Sequence, residues 1–238
     1  MSYQLRTPLT TIGGYADLLA QGFAGELTDR QKEPMAAIQS ASSHLAKLID
    51  DILDVAAIDA GQLELDLGDV NLEDVVREAA ELVAARADHN SVKLDVRVEG
   101  DIGLLRADRN RLKQVAMNLL SNALRHVQPG GGITIGARRE GDQLTLWVND
   151  DGEGIAPEKQ ASVFDRFARG ERGGAGLGLA LVKDIALLHG GWVELKSEPG
   201  KGTLVACHLP AEARSLATPK ELDLAGMAHE DERVGSDS

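Results

Sequence analysis

The first part of the chain carries two apolar patterns whose spacing alternates between three and four positions. The first pattern is spaced 4-3-4-3 and the second 3-4-3-4-3. This alternation is the heptad pattern of supercoiled helices, so it predicts two long helices that each bury one stripe against a helical neighbour. The residues are Leu5, Leu9, Ile12, Ala16 and Leu19 in the first helix, and Ile38, Ala41, Leu45, Leu48, Ile52 and Val55 in the second.

Local signals mark the ends of these helices. Residues 22–27 supply a turn, and Thr28 and Gln31 form a T-x-x-Q capping box that starts the second helix. Pro34 falls early in that helix and is expected to kink it or to delay its start. Gly61 lies where a C-terminal glycine cap belongs.

A helical hairpin over residues 1–61 can bury its two stripes only on each other, which leaves much apolar surface exposed. A homodimer that forms a four-helix bundle is the natural completion. The alternative is that the hairpin packs on the rest of its own chain. We favour the dimer because both stripes are long and regular. The first helix also begins at the first residue without a cap, so we expect a longer protein in which this helix extends upstream.

Residues 62–210 mix helix and strand patterns. Asn71 and Asp108 are expected to cap helices that run through about Ala87 and about Val127. Because strands and helices do not alternate strictly, the order predicts an α+β sandwich with a mixed sheet. The predicted strands are 63–67, 92–98, 133–139, 143–149, 192–197 and 203–209, and a further helix is predicted at 177–189.

The tail, residues 211–238, has a different composition. It holds seven acidic residues against three basic ones and no aromatic residue. This composition is typical of disorder. A docking helix is the alternative, and its apolar positions are Leu216, Leu222, Leu224 and Met227.

Charge and cysteine content exclude several classes of protein. With 25 Lys and Arg against 38 Asp and Glu, the formal charge is −13, so phosphate backbones would repel the chain and nucleic acid is excluded as its main partner. The single cysteine, Cys207, excludes a disulfide framework and suits a reducing cytoplasm. No apolar run approaches the roughly 18–20 residues that span a bilayer, so we expect no membrane contact from these residues and no signal peptide.

One candidate site lies on the predicted helix that follows Asp108. Asn118 and Asn122 are four positions apart and share one face of that helix. Amide oxygens are neutral ligands that suit Mg²⁺ when phosphates already neutralise the cation. Arg125 lies within reach of a phosphate. The alternative is a helix with a solvated polar stripe.

A second cluster follows the strand at 143–149, where Asp150 precedes Gly152 and Gly154. Spaced glycines let the backbone approach a flat ring, while the acid accepts a hydrogen bond from an exocyclic amine. The alternative is an ordinary acidic turn. The run 198–203 would by itself pass as a hairpin turn.

The glycine-rich run 173–178 leads directly into a predicted helix. Glycines before a helix N-terminus expose backbone amides to an anion such as phosphate. A flexible linker is the alternative. Leu177 and Leu179 argue against a linker because both would need burial.

The order and spacing of these clusters resemble the catalytic ATP-binding domain of sensor histidine kinases, an α/β sandwich of the GHKL ATPase superfamily. Residues 118–126 resemble the N box, 150–154 the G1 box, 164–167 the F box and 174–178 the G2 box of that family. The N-terminal run S-Y-Q-L-R-T-P-L resembles the H box, S-H-E-L-R-T-P-L, of the dimerisation and phosphotransfer domain.

The resemblance implies a role for each matched residue. It implies that Asn122 holds Mg²⁺, that Asn118 supports the phosphate side, and that Asp150 reads the adenine amine of ATP with Thr203 close by. The segment after Phe167 corresponds to the ATP lid, which is short for this family. Its Arg169 and Arg172 either meet phosphates or remain solvated. The other nucleotide-binding positions are Arg125, Gly152, Gly154, Gly174, Gly176, Leu177 and Gly178.

The chain departs from the family at the H box. Tyr3 occupies the position of the phosphoacceptor histidine and Gln4 that of the neighbouring acid, which is similar to the DivL-type kinases. A tyrosine with a pKa near 10 is only about 0.1 % phenolate at pH 7, and Gln4 cannot take its proton. Phosphotyrosine is also a stable ester, so passing its phosphate to an aspartate is uphill. Thr7 is retained; in the family it can orient a water for phosphatase activity, and the alternative is that it merely precedes Pro8.

Together these features predict a transmitter module in two-component signalling that has left the histidine relay, a pseudokinase that binds Mg-ATP. As a homodimer it would dock a response-regulator receiver domain or another histidine kinase. One alternative is an active kinase that autophosphorylates Tyr3, and another is an ATPase that labels no protein. None of the six histidines occupies the acceptor position; His44 is interpreted as a surface or bundle residue.

Overall fold

The computed structural model describes residues 2–168 and 175–212, with side chains from Thr7 onward. The predicted disorder at 213–238, and the roles predicted for Arg169, Arg172 and Gly174, lie outside the described residues. The chain divides into two compact units, Met1–Ala57 and Ile58–Ser238.

The first unit is the helical hairpin. Helix α1 spans Ser2–Ala20 and helix α2 spans Asp29–Asp59. The backbone N–H of Thr28 donates to Oε1 of Gln31 at 2.9 Å, which confirms one of the two hydrogen bonds of the capping box. The Thr28 hydroxyl donates to the same oxygen, and the N–H of Gln31 donates to the carbonyl oxygen of Thr28. Because this box fixes the start of α2 at Asp29, the predicted delay at Pro34 is wrong, and the proline lies inside the helix.

The outer face of the hairpin is apolar. Ile38, Leu45 and Ile52 are 45 %, 47 % and 51 % exposed, and each lies seven residues from the next. On α1, Ile12 and Leu19 are also exposed and seven residues apart. Each helix of the first unit therefore leaves part of its heptad stripe uncovered.

Within the described residues, the second unit contains a five-stranded mixed sheet in the order β2-β4-β5-β7-β6. Strand β2 runs parallel to β4, and the other pairs are antiparallel. A smaller antiparallel pair joins β1 to β3. The strands are β1 Gly68–Asn71, β2 Lys93–Glu99, β3 Leu104–Ala107, β4 Gly132–Glu140, β5 Gln143–Asp150, β6 Trp192–Glu198 and β7 Gly202–Pro210.

Three long helices cover one face of this sheet. They are α3 Leu72–His89, α4 Arg109–His126 and α6 Gly178–Leu188, and a short helix, α5 Pro157–Gln160, precedes α6. Their contact with the sheet forms one core, whose fully buried side chains include Leu112, Leu119, Leu120, Ile133, Ile135, Leu144, Leu146 and Ile185. A helical hairpin in the first unit and an α/β sandwich in the second are the predicted fold class.

One predicted strand is wrong. Residues 62–67 form no strand, and the first strand of the second unit is Gly68–Asn71. The leucines at 63, 65 and 67 do alternate with exposed residues. Their backbone joins no ladder, however, and the N–H of Asp66 donates instead to Oδ2 of Asp108 at 3.1 Å. Alternation thus predicted an extended segment but could not show whether it has a pairing partner.

A buried histidine supports the start of α4. Nε2 of His189 accepts a hydrogen bond from the backbone N–H of Asp108 at 3.0 Å, and Nδ1 lies 2.8 Å from the carbonyl oxygen of Ile185. Both contacts require a neutral ring that carries its proton on Nδ1. Burial lowers the pKa of His189, an effect that Arg111 reinforces and Asp108 opposes.

We expect His189 to make the fold sensitive to acid. Because its pKa is lower in the folded state, its contribution is complete above the unfolded pKa of about 6.5 and is lost as the pH falls toward the folded value, by up to about 1.4 kcal/mol per pH unit. Urea unfolding at pH 7.5 and pH 5.5 measures this loss. The variant His189→Gln should be less stable at pH 7.5 and should lose less on acidification. Equal acid losses in the two proteins would contradict this assignment.

Candidate functional site

Asp150 is the last residue of β5 and is only 7 % exposed. Its Oδ1 accepts a hydrogen bond from the backbone N–H of Gly152 at 2.9 Å. Burial raises the pKa of the Asp150 carboxyl, while the backbone amides of Gly152 and Thr203 and the nearby His126 oppose that rise. The result is a largely desolvated carboxylate, which is a strong acceptor for a ligand N–H.

The loop after Asp150 packs directly on the turn between β6 and β7. A Cβ at Gly154, whose φ is +69°, would strike the carbonyl oxygen of Glu198. A Cβ at Gly202, whose φ is +95°, would strike the carbonyl oxygen of Asp150. The G1-like cluster and the run 198–203 are therefore one structural unit, although the second resembled an ordinary hairpin turn in the sequence.

Hydrogen bonds tie Thr203 into the same unit. Its Oγ1 lies 2.8 Å from Oγ of Ser197, which also accepts a hydrogen bond from the backbone N–H of Ile155 at 2.8 Å. The backbone N–H of Gly200 donates to the carbonyl oxygen of Glu153 at 2.8 Å. The structure thus places Thr203 beside the Asp150 loop, as the resemblance implied.

We expect Gly202→Ala to destabilise the second unit strongly. The added Cβ meets backbone atoms that cannot move independently, and φ is in the left-handed region, so the loss should exceed about 3 kcal/mol. Gly200→Ala is the matched control: its φ is +76°, but a Cβ there meets nothing within 4 Å. Strain alone should then cost about 1 kcal/mol. Similar melting temperatures for the two variants would show that the loop contact is not tight.

Helix α4 places its two asparagines between the other clusters. Asn118 is buried, and its Nδ2 donates to the carbonyl oxygen of Gly178 at 3.3 Å. Asn122 lies one turn further along and is half-buried, whereas Arg125 is exposed. At the end of the helix, Nδ1 of His126 lies 2.6 Å from Oε1 of Glu153. Helix α4 therefore touches the start of α6 at one point and the Asp150 loop at another.

The start of α6 fits an anion. Within the described residues, no side chain caps this helix, so its first amides retain hydrogen-bonding capacity. Gly176 has a φ of +67°, and a Cβ there would lie 2.5 Å from the carbonyl oxygen of Ala168. The backbone N–H of Phe167 donates to the carbonyl oxygen of Gly176 at 2.8 Å. Leu177 is 1 % exposed, so the described part of the glycine-rich run, residues 175–178, is not a solvated linker.

These residues fit a nucleotide bound with a cation. Asp150 supplies an acceptor for an amine, the glycines leave room for close backbone approach, and the α6 amides suit phosphates. No group of three or more His, Cys, Asp or Glu side chains in the described part of the chain is arranged to hold a metal. A cation here would depend on the Asn122 amide oxygen together with the phosphates of its ligand.

The H-box residues lie on α1. Tyr3 and Gln4 belong to its first turn. Thr7 is exposed, and its carbonyl oxygen accepts a hydrogen bond from Oγ1 of Thr11 at 3.0 Å. The helix continues through Pro8, so the acceptor position and Thr7 share one helix.

Two family models match the chain, and they match different parts of it. Residues 1–61 match the "His Kinase A (phospho-acceptor) domain", and residues 107–213 match the "Histidine kinase-, DNA gyrase B-, and HSP90-like ATPase". The chain belongs to the sensor histidine kinases. It is a transmitter module of two-component signalling, with a helical hairpin and an ATPase domain, as its motifs predicted.

Similar proteins agree with this assignment. The Sensor protein DivL of Caulobacter vibrioides is 46 % identical over 93 % of this chain and 29 % of its own length. The circadian input-output histidine kinase CikA of Synechococcus elongatus is 36 % identical over 93 % of this chain and 30 % of its own. The crystal structure of full-length ShkA in complex with AMPPNP matches with a TM-score of 0.74 and 32 % identity, covering 92 % of this chain and 46 % of that one. The chain thus spans about 30 % of the length of these two curated relatives.

Sequence reasoning missed two contacts of this kinase module. His189 and its bond to Asp108 lie outside every motif. The contact between His126 and Glu153 joins two boxes but involves neither the glycines nor the asparagines of those boxes.

In the parts of the chain that the structure describes, no helix combines the length and apolar character needed to cross a bilayer.

Proposed function

We propose that this module binds Mg-ATP but has left the histidine relay and acts as a dimeric interaction protein. Its partner would be a response-regulator receiver domain or another histidine kinase. One observation carries the proposal: helix α4 contacts both the Asp150 loop and the start of α6, while Tyr3 stands at the acceptor position. The module would keep its nucleotide as a conformational ligand.

For nucleotide binding, Asp150 would accept the adenine amine and Thr203 would lie beside it. Asn122 would hold Mg²⁺, and Asn118 would keep the start of α6 against the phosphate side through its bond to Gly178. Bound ATP would supply a transferable phosphoryl group. The AMPPNP complex of ShkA supports this assignment for a chain of the same architecture. Arg125 is exposed and close enough along α4 to meet a phosphate.

For dimerisation, the apolar stripe on α2 is the supporting feature. Ile38, Leu45 and Ile52 are about half exposed at heptad spacing. A second copy would cover this stripe and complete a four-helix bundle. The bundle would then present the surface that receives a receiver domain. A cytoplasmic location suits both ATP and the buried free thiol of Cys207.

The loss of the relay follows from acid–base chemistry. At pH 7 an imidazole offers a lone pair, whereas a tyrosine is almost entirely protonated. A carboxylate at position 4 could accept that proton, but Gln4 cannot. Transfer to Tyr3 would in addition produce a stable ester that cannot readily pass its phosphate to an aspartate.

The test uses the purified chain with Mg²⁺ and γ-labelled ATP. Label on the protein is followed over hours and located by mass spectrometry, and ATP binding is measured in the same sample. We expect binding without label, together with retention of a receiver domain in a pull-down. If no receiver domain or kinase is retained in any nucleotide state, the interaction role is wrong.

A second candidate is a slow tyrosine autokinase. It is favoured by the hydroxyl that remains at the acceptor position, because phosphoryl transfer depends mainly on positioning and charge stabilisation. Its signature is label on Tyr3 that is absent in Tyr3→Phe. Steady ATP turnover without protein label would instead indicate an ATPase that uses neither acceptor.

A further inference from the structure

Strand β2 forms an outer edge of the five-stranded sheet, and within the described residues it pairs only with β4. The N–H of Lys93 donates to the carbonyl oxygen of Gly131 at 2.9 Å. In a parallel ladder the hydrogen-bonding groups of successive residues point to opposite sides. The N–H and C=O groups of Leu94, Val96 and Val98 therefore point away from the sheet and are available to another strand.

The solvent face of β2 carries four charges of alternating sign: Lys93, Asp95, Arg97 and Glu99. All four residues are exposed. No ion pair found among the described residues includes any of them. These charges can therefore pair with charges on another strand without breaking a contact inside the domain.

The opposite face of β2 is apolar and incompletely covered. Leu94, Val96 and Val98 are partly buried there against the core. A groove of about 520 Å³ lies between β2 and α3, and Ala80 and Ala84 line it together with the polar or charged residues Glu81, Asp88, Ser91 and Lys93. Because alanines cannot fill this space, the edge of the core remains open beside the free strand.

We propose that β2 pairs antiparallel with β2 of a second copy of this chain, with Val96 opposite Val96 of the partner subunit. In this register Lys93 faces the partner's Glu99 and Asp95 faces the partner's Arg97. The two-fold axis repeats both contacts, so all four charges on each strand are matched. On the apolar face, Leu94 lies opposite the partner's Val98.

Other registers match fewer charges. A two-fold axis can pass through a residue whose hydrogen-bonding groups point outward, which is Leu94, Val96 or Val98, or through Asp95 or Arg97, whose groups point toward β4. Centring on Asp95 or Arg97 would place that charge opposite the same charge of the partner subunit. Centring on Val98 would place Asp95 opposite the partner's Asp101. Centring on Leu94 would place Arg97 opposite the partner's uncharged Ser91. Only Val96 as the centre gives an opposite charge to every charged residue of the strand.

The strength of this contact follows from its composition. Opposite charges on directly facing strand positions contribute about 0.2–1 kcal/mol per pair, and an unpaired strand edge is a template for further pairing. One strand per copy buries little area, so the association should be weak and should depend on concentration. Together with the hairpin dimer under "Proposed function", a second two-fold interface would link dimers into larger assemblies.

Cysteine cross-linking tests the register in the full chain. Val96→Cys should form an intermolecular disulfide on mild oxidation because only this position faces its own copy. Arg97→Cys is the matched control and should cross-link poorly alone, but efficiently when mixed with Asp95→Cys. The native Cys207 does not compete, since burial raises its pKa to about 12. Equal cross-linking of Val96→Cys and Arg97→Cys would overturn the register, and so would no reaction at Val96→Cys.

Charge reversal tests the same contact without cross-linking. Lys93→Glu places like charges at two symmetry-related positions and should weaken the association about ten-fold in sedimentation equilibrium. Adding Glu99→Lys restores opposite charges and should recover the association. Both residues are exposed, so the variants should keep the fold of the domain. The proposal would be refuted if Lys93→Glu associates as strongly as the parent chain, or if the double variant does not recover the association. The comparison holds whether or not the hairpin dimerises, because all variants share the same hairpin.

Discussion

Asp150→Asn should weaken ATP binding by about 10- to 100-fold and leave the second unit as stable as before or more stable. A hydrogen bond to a charged acceptor contributes about 1.5–3 kcal/mol, and this variant replaces the charge with a neutral amide. The amide oxygen can still accept the N–H of Gly152, which the carboxylate accepts at 2.9 Å. Binding is measured by calorimetry with ATP and Mg²⁺.

The stability part of this prediction follows from the sign of the pKa shift. Burial raises the pKa of Asp150 in the folded state. Between the unfolded and folded pKa values the folded protein binds more protons, so stability falls as the pH rises through that range. At pH 7 the ionised carboxyl therefore opposes folding, and the neutral amide introduced by Asp150→Asn removes that cost.

The matched control is the neighbouring Asp151→Asn. Asp151 is exposed, and its Oδ1 accepts a hydrogen bond from the backbone N–H of Gly132 at 2.9 Å. We expect this variant to bind ATP like the parent chain. Unchanged binding in Asp150→Asn would show that the carboxylate does not read the nucleotide. A large fall in the melting temperature of Asp150→Asn would show that the charge of Asp150 stabilises the fold.

Local signals predicted the second unit most accurately. Asn71 caps α3 by accepting the N–H of Glu73 at 2.9 Å, and Asp108 caps α4 by accepting the N–H groups of Asn110 and Arg111. Such caps bond residues two or three positions away, so they can be read from the sequence. The alternation of apolar and polar residues is also a local signal, and it predicted the five strands of the main sheet.

Contacts between distant segments could not be read in this way. The strand β3 has only four residues, and its pairing with β1 depends on a partner more than thirty positions away. The contact of Gly154 with Glu198, and of Gly202 with Asp150, becomes evident only when the two loops are folded together. Spacing alone did not predict that these motifs form one site. That prediction came from the resemblance to a family.

Restoring the acceptor site, by Tyr3→His combined with Gln4→Glu, should convert the module into a histidine autokinase. Imidazole is largely neutral at pH 7, whereas only about 0.1 % of a tyrosine is phenolate, so the reactive fraction rises roughly a thousand-fold. The glutamate adds a proton acceptor, an effect typically of about 10²–10⁴-fold. We expect the labelling rate with γ-labelled ATP to rise at least about a hundred-fold.

The chemistry of the product separates this outcome from tyrosine phosphorylation. Phosphohistidine is acid-labile, while phosphotyrosine survives acid, so brief acid treatment should remove the new label. Tyr3→His alone should label more slowly than the double variant, because Gln4 still cannot accept a proton. Adding Asp150→Asn should suppress the label through weaker nucleotide binding, which ties the reaction to the site around that residue.

If the double variant binds ATP but stays unlabelled, the defect lies outside the acceptor site. Only six residues, 168–173, separate Phe167 from Gly174, and the resemblance assigns this segment to the ATP lid. A lid too short to close over the phosphates would leave even a competent histidine without a positioned donor. Lengthening this segment in the double variant should then restore labelling, whereas lengthening it in the parent chain should not, because Tyr3 would still lack a base.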